Sequence, residues 1–132
     1  LPVAVQLVQE FPEQRFILDH IAKPNIAAQA FEPWLTDLKE LARFPLVSCK
    51  LSGMVTEARW EDWEPKDFHP YIDCVLEAFG PERVMIGSDW PVCQLSGSYG
   101  STMAIVTDYA EQLSEEVRAG LLGGNCSRIY KI

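Results

Sequence analysis

The sequence predicts an α/β fold of three parallel βα units, the arrangement found in part of a (β/α)8 TIM barrel. Three observations carry this expectation. Short apolar runs alternate with stretches of helical spacing in the order α-β-α-β-α-β-α-α, and such alternation implies parallel strands joined by right-handed crossovers. The strand runs are apolar almost throughout, as expected where helices cover a sheet. Three strands are also thin for a whole domain. The chain has 132 residues, whereas a closed barrel of this kind takes ~250.

Each element has its own justification. Val3, Val5, Leu7, Val8 and Phe11 form an apolar face of helical character, stopped by Pro12. Residues 15–21 form a short apolar run bounded by polar residues and by Pro24, which favours a buried strand. Phe31, Trp34, Leu35, Leu38, Leu41 and Ala42 recur at helical spacing, with Pro33 where a first turn tolerates it and Pro45 as the stop. Residues 46–52 are the second strand, closed by Gly53. Val55 to Lys66 has no clean period and reads as a loop or short helical excursion. Phe68 to Phe79 returns to helical spacing and ends at Gly80-Pro81. Residues 83–89 are the third strand, ended by Pro91. A Gly/Ser loop from Gln94 to Ser101 leads to a helix from Thr102 to Leu113, and Ser114 is an N-cap for another. Gly123-Gly124-Asn125 breaks that pattern before a last helical turn at Cys126 to Tyr130.

Composition excludes several classes. Hydrophobic residues make up 48% and charged residues 23%, close to the globular average and unlike a disordered tail or a coiled coil. A net charge of -8 without a Lys/Arg run argues against nucleic acid as a partner, because phosphate binding needs cations. No apolar stretch approaches the ~20 residues of a membrane helix. Leu1 to Phe11 has no basic region followed by a small-residue cleavage site, so no signal peptide is expected there; the cysteine pattern reads as that of a reduced, cytoplasmic protein. Cys49, Cys74, Cys93 and Cys126 lack the close spacing of a zinc knuckle. Cys49 and Cys74 lie in apolar runs and read as buried small hydrophobes. The opening Leu1-Pro2, without Met, reads as the start of a fragment or of a chain with its beginning missing.

In a βα barrel the chemistry collects at the carboxyl ends of strands. Here those ends carry Asp19-His20, then Lys50 and Ser52, then Ser88-Asp89-Trp90. Three consecutive units with ionisable groups at one rim are the main functional signal. His20, one of two histidines, is a candidate metal ligand or general acid/base, with a structural histidine bonded to a carbonyl as the competing account. Asp89, read as held on a rigid strand, is a candidate general base for activating water. Asp19 precedes His20, so strand alternation points it to the opposite side and makes it structural. His69, before Pro70, reads as a cap or surface residue.

Leu18-Asp19-His20-Ile21-Ala22-Lys23-Pro24, Cys49-Lys50-Leu51-Ser52-Gly53 and Gly87-Ser88-Asp89-Trp90-Pro91-Val92 resemble the amidohydrolase-related family of TIM-barrel hydrolases. The similarity is greatest to the branch of sugar lactonases that act on L-fucono- and L-rhamnono-lactones. Gly124 to Tyr130 is similar to the family's closing segment. The resemblance covers essentially the whole chain and implies the carboxyl-terminal part of a (β/α)8 barrel, occupying residues 1–132. It implies that Asp89 is the catalytic aspartate of the last strand and that His20 faces the metal or the substrate. Both are therefore candidate metal ligands as well as catalytic residues; Lys50 is a candidate substrate contact or a structural residue of the intervening strand, and Trp90 is a candidate substrate contact. The family's amino-terminal His-x-His pair and roughly the first five of its eight strands are absent from these residues.

The resemblance thus implies a hydrolase that opens a sugar-acid lactone with water activated by Asp89. The carbonyl would be polarised by a divalent metal, zinc or manganese, or by cationic and histidine donors without metal; both remain open, since His20 and Asp89 are fewer than the three protein ligands usual for catalytic zinc. The expected partner is a small-molecule lactone or sugar acid, and a homo-oligomer is left open. Trp60 and Trp63 would either form an apolar wall for a sugar ring or pack their loop onto the barrel. The alternative function is a catalytically inactive barrel fragment that serves as a packing or binding module.

Overall fold

The three apolar runs lie side by side in a single sheet of order β1-β2-β3, in a computed structural model that describes residues 1–132. β1 is Phe16–Leu18, β2 is Val47–Leu51 and β3 is Val84–Ile86. Both pairings are parallel, with Leu18 opposite Cys49 and Lys50 opposite Met85. Helix α1 (Pro2–Glu10) precedes the sheet. The crossovers that parallel neighbours require carry α2 (Trp34–Ala42) and α3 (His69–Phe79). After β3 come α4 (Tyr99–Tyr109), α5 (Glu115–Ala119) and α6 (Asn125–Tyr130).

The strands are shorter than the seven-residue runs the sequence predicts. Each run loses its pairing at the carboxyl end, where the chain turns off the sheet. The first leaves at Asp19 through a left-handed turn, and the second leaves after Ser52 through Gly53, whose φ is +60°. The third keeps one further ladder bond, from the Gly87 N–H to the Leu51 carbonyl at 3.1 Å, before it departs. Asp89 therefore sits on a turn beyond β3, with φ +56°, and not on the strand itself.

Strand alternation splits β2 into two faces. Val47, Cys49 and Leu51 are fully buried in one apolar cluster with Leu38 and Leu41 of α2 and Ile72, Val75 and Phe79 of α3. Phe31 stacks on Tyr71 with ring centroids 4.6 Å apart. Burying one such aliphatic or aromatic side chain stabilises by ~1.5–3 kcal/mol. Ser48, Lys50 and Ser52 fall on the other face, with Met85 alongside Lys50.

Two polar side chains clasp the amino-terminal ends of the strands. The Arg83 guanidinium donates to four main-chain carbonyls, those of Ala42, Phe44, Val47 and Phe79, at 2.8–3.0 Å. Burial lowers its pKa, and those acceptors stabilise the charge. Buried Asn125 donates through Nδ2 to the carbonyls of Pro81 and Val84, both at 2.7 Å, which ties α6 to the start of β3.

Several boundaries shift for identifiable reasons. α4 begins at Tyr99, three residues before the predicted Thr102, because Ser98 Oγ accepts the Ser101 N–H at 3.0 Å and caps the helix there. α2 begins at Trp34 with Pro33 just before it, not at Phe31. Ser114 caps α5 as expected, accepting from the Val117 N–H. The chain from Gly120 to Gly124 forms a wide helical turn broken at Gly123. All four cysteines are free thiols. Cys49 and Cys93 are buried, while Cys74 is only half-buried, contrary to its reading as a core residue. Burial, with the Asp19 charge, pushes the Cys49 thiol pKa far up, so it stays protonated. No helix is long and apolar enough to cross a membrane.

Candidate active site

The site is built where the chain leaves the three strands. After β1, residues His20, Ile21, Ala22 and Lys23 all have φ between 45° and 58°, a full left-handed turn made without glycine. Each such residue costs ~1–2 kcal/mol relative to right-handed backbone, so the turn needs external support. Trp34 of α2 provides part of it: its indole N–H donates to the Ile21 carbonyl at 2.7 Å. The Lys23 N–H closes the turn onto the His20 carbonyl at 2.9 Å. The Ile21 side chain is fully buried, and Lys23 Nζ pairs with Glu57 Oε1 at 2.8 Å.

This turn brings the imidazole of His20 to the face of the sheet that carries Lys50 and Ser52. His20 Nδ1 lies 2.9 Å from Ser52 Oγ. His20 Nε2 lies 3.6 Å from Asp89 Oδ1 and 3.9 Å from Asp19 Oδ2. Lys50 Nζ lies 3.3 Å from Asp19 Oδ1. Four ionisable groups and a hydroxyl thus share one cluster at the carboxyl rim. Asp89 is the best sheltered of the acids, with 12% of its side chain exposed against 52% for Asp19. Its turn is held by the Cys93 N–H, which donates to the Asp89 carbonyl at 2.9 Å.

Burial alone would lower the Lys50 pKa, but the interactions with Tyr130 and with the Asp19 carboxylate outweigh it and raise the pKa above 10.5. Lys50 is therefore a fixed cation at neutral pH, lying 5.9 Å from the centre of the Tyr130 ring.

Some sequence expectations change here. Asp19 is not turned away from the site; its carboxylate joins Lys50 and His20. Alternation puts Asp19 in phase with Lys50, because Leu18 pairs with Cys49. His20 reaches the same side only because the strand has already ended in a left-handed turn. Trp90 stands apart from the cluster: its side chain is 62% exposed, and its backbone N–H donates to Ser88 Oγ at 3.1 Å. The segment from Val55 to Lys66 holds only two short helical turns. Within it Trp63 packs, as one of the two readings expected. Its N–H donates to the Ser96 carbonyl at 2.8 Å and its ring meets Phe68 edge-on. Trp60 is half-exposed, with its N–H donating to the Thr56 carbonyl. His69 begins α3 and meets the Tyr109 ring edge-on at 5.2 Å. Ser52 and Gly53 are the neighbours of His20 to which the sequence assigns no role. The one available signal was a serine-glycine pair ending an apolar strand.

The sequence pattern of the amidohydrolase family matches residues 1–132. The chain belongs to the amidohydrolase family. It is 42% identical over 126 residues to an L-fucono-1,5-lactonase of Burkholderia multivorans, covering 88% of this chain and 43% of that protein. A second L-fucono-1,5-lactonase, from Burkholderia ambifaria, is 38% identical across the whole chain and 47% of its own length. A crystal structure of a Burkholderia multivorans amidohydrolase with bound zinc superposes with a TM-score of 0.88 at 40% identity, covering 97% of this chain and 49% of that one. The chain spans about half the length of these relatives. Its three parallel βα units are thus a portion of an amidohydrolase barrel.

A zinc-binding relative raises the question of whether this amidohydrolase's own donors suit a metal. No group of three or more His, Cys, Asp or Glu side chains is disposed to hold one. Two donors are suitably arranged, however. Ligand atoms about 2.0–2.2 Å from one tetrahedral zinc stand ~3.3–3.5 Å apart, and His20 Nε2 and Asp89 Oδ1 are 3.6 Å apart. The pair fits one side of a metal's ligand shell.

Proposed function

We propose that this chain forms the part of a lactone hydrolase that carries its proton-transferring carboxylate, and that the substrate is the cyclic ester of a sugar acid. The observation that carries the reading is the approach of His20 to Asp89 at the carboxyl rim, at 3.6 Å, in a chain 38–42% identical to L-fucono-1,5-lactonases.

Asp89 is sheltered yet open to the rim, and takes a proton from water as the oxygen adds to the lactone carbonyl carbon. When the ring C–O bond breaks, the same carboxyl returns the proton to the departing alkoxide. His20 holds the Asp89 side of the site through Nε2. Lys50, a fixed cation two residues before Ser52, contacts the substrate's oxygens. If a divalent metal binds, His20 and Asp89 hold it, and it supplies Lewis-acid polarisation of the lactone carbonyl. Trp90 contacts the sugar from the exposed edge of the same rim.

The test is steady-state hydrolysis of a panel of six-membered and five-membered aldonolactones by the full-length protein carrying this chain. Turnover of L-fucono-1,5-lactone or a close stereoisomer supports the reading. A well-folded protein inert towards every lactone in the panel would sink it and favour the packing-module alternative.

A further inference from the structure

His20 has an unusual partner on its second nitrogen. A ring nitrogen of a metal-binding or catalytic histidine is most often steered by a carbonyl or a carboxylate on the other nitrogen. Those groups only accept, so they fix the proton on the nitrogen that faces them. Here the partner is a hydroxyl, which both donates and accepts. Ser52 is 3% exposed, and its Oγ lies 2.9 Å from His20 Nδ1.

The surroundings fit that hydroxyl closely. A Cβ on Gly53 would lie 2.7 Å from the His20 Cβ, far inside contact distance, and Gly53 itself has φ +60°. A Cβ on Gly87 would lie 3.1 Å from the Ser52 Cβ. Two glycines from neighbouring strand ends therefore clear the space in which Ser52 and His20 meet. His20 is in turn held from behind, through the bond from Trp34 to the Ile21 carbonyl.

We propose that Ser52 is the positioning residue of His20, a two-way hydrogen-bond partner that keeps the imidazole in one orientation in both of its neutral tautomers. Two carboxylate oxygens, of Asp89 and Asp19, face Nε2 at 3.6 and 3.9 Å. In the metal-free site they favour the proton on Nε2, so the Ser52 hydroxyl donates to Nδ1. When Nε2 turns its lone pair to a cation, the proton resides on Nδ1 and Ser52 accepts it. The ring need not rotate between the two states; only the hydroxyl hydrogen does. An acceptor-only partner at this position would oppose the first state, and an apolar one would leave Nδ1 without a partner in both. The inference rests on the reading of His20 and Asp89 as the working pair, and adds what fixes the first of them.

The experiment is nitrogen NMR on the full-length protein labelled in histidine, in mildly alkaline buffer. The His20 signal is assigned by its loss in His20→Asn. Metal-free wild type should show a protonated Nε2 and an unprotonated Nδ1, and zinc addition should reverse the pattern. Ser52→Ala removes the Nδ1 partner and frees the ring to move, so it should shift and broaden the Nδ1 signal and weaken zinc binding by about 10–100-fold. Its lactone turnover should fall by a similar factor in kcat with little change in KM, and Ser52→Cys, which restores a weak donor and acceptor, should recover a sharp Nδ1 signal and part of the zinc affinity. Ser52→Ala with wild-type nitrogen shifts and wild-type zinc affinity overturns the proposal, as does a metal-free wild type with its proton on Nδ1. A wild-type protein that opens no lactone overturns the functional reading alone, because the tautomer measurement still decides the role of Ser52.

Discussion

Trp34→Phe should loosen the His20 turn without unravelling the sheet. The substitution keeps an aromatic ring in the core but removes the N–H that donates to the Ile21 carbonyl at 2.7 Å. That carbonyl belongs to a fully buried residue, so water does not readily replace the lost donor. A buried acceptor left without its partner costs ~1–3 kcal/mol. The four left-handed residues behind it carry ~1–2 kcal/mol of strain each, so the loss falls on a segment that gains by relaxing. The Lys23 N–H, bonded to the His20 carbonyl at 2.9 Å, reports whether the turn is closed. Since ~1.36 kcal/mol corresponds to tenfold, the hydrogen-exchange protection of that amide should fall about 5- to 150-fold. The amides of β2 should keep theirs, because local opening need not involve the sheet. The assay is amide exchange followed by NMR in the full-length protein. Unchanged protection at Lys23 would refute the reasoning, and so would an equal loss at Lys23 and in the strand.

Asp89→Asn keeps the shape of the side chain and removes the base, so lactone turnover should drop ~10²–10⁴-fold with unaltered thermal melting; steady-state kinetics would expose a smaller effect. Gly53→Ala puts a methyl 2.7 Å from the His20 Cβ and forces a side chain onto φ +60°. It should therefore cost turnover and shift the His20 NMR signals even though the Ser52 hydroxyl is intact. Lys50→Met should raise KM more than it lowers kcat, measured on the same substrates. In stability, the Lys50 pKa is raised above 10.5 in the folded chain. Its contribution is therefore fully present below pH 10.5 and lost as pH climbs through the folded value. The difference between wild type and Lys50→Met in denaturant titrations should be flat at neutral pH and shrink above 10.5. Arg83→Met strands four carbonyls at the floor of the sheet and should destabilise by about 3 kcal/mol or more, visible in the same titrations.

The order of elements was readable because its signals are local. Apolar runs of strand length, Pro12, Pro45 and Pro91 as stops, and Ser114 as a cap each act within a few residues. The grouping of Asp19, Lys50 and Asp89 depends on register, which a sequence does not spell out. Knowing that Leu18 pairs with Cys49 puts Asp19 in phase with Lys50; without that pairing, alternation counted from His20 sends Asp19 the wrong way. The counting failed because His20 is no longer in a strand, and nothing in Asp19-His20-Ile21-Ala22 announces left-handed backbone. Glycine or asparagine would have done so. The turn exists because Trp34, thirteen residues away, holds it, and a support of that range lies outside any local window. Trp63 was ambiguous for the same reason: its partner, Ser96, lies in the loop after the next strand.

The clasp formed by Arg83 implies a particular pattern of evolutionary freedom. All four of its acceptors are carbonyls of the main chain, and every amino acid carries one. Ala42, Phe44, Val47 and Phe79 can be exchanged for other residues of suitable size without depriving the guanidinium of a partner. Position 83 itself has no such latitude, since lysine offers neither the fork nor the reach to serve four acceptors at once. His20 is in the opposite situation: Ser52, Asp89 and Asp19 meet it through side chains. Divergent relatives should therefore drift singly around the floor, while at the rim a change at one position should arrive together with changes at the others.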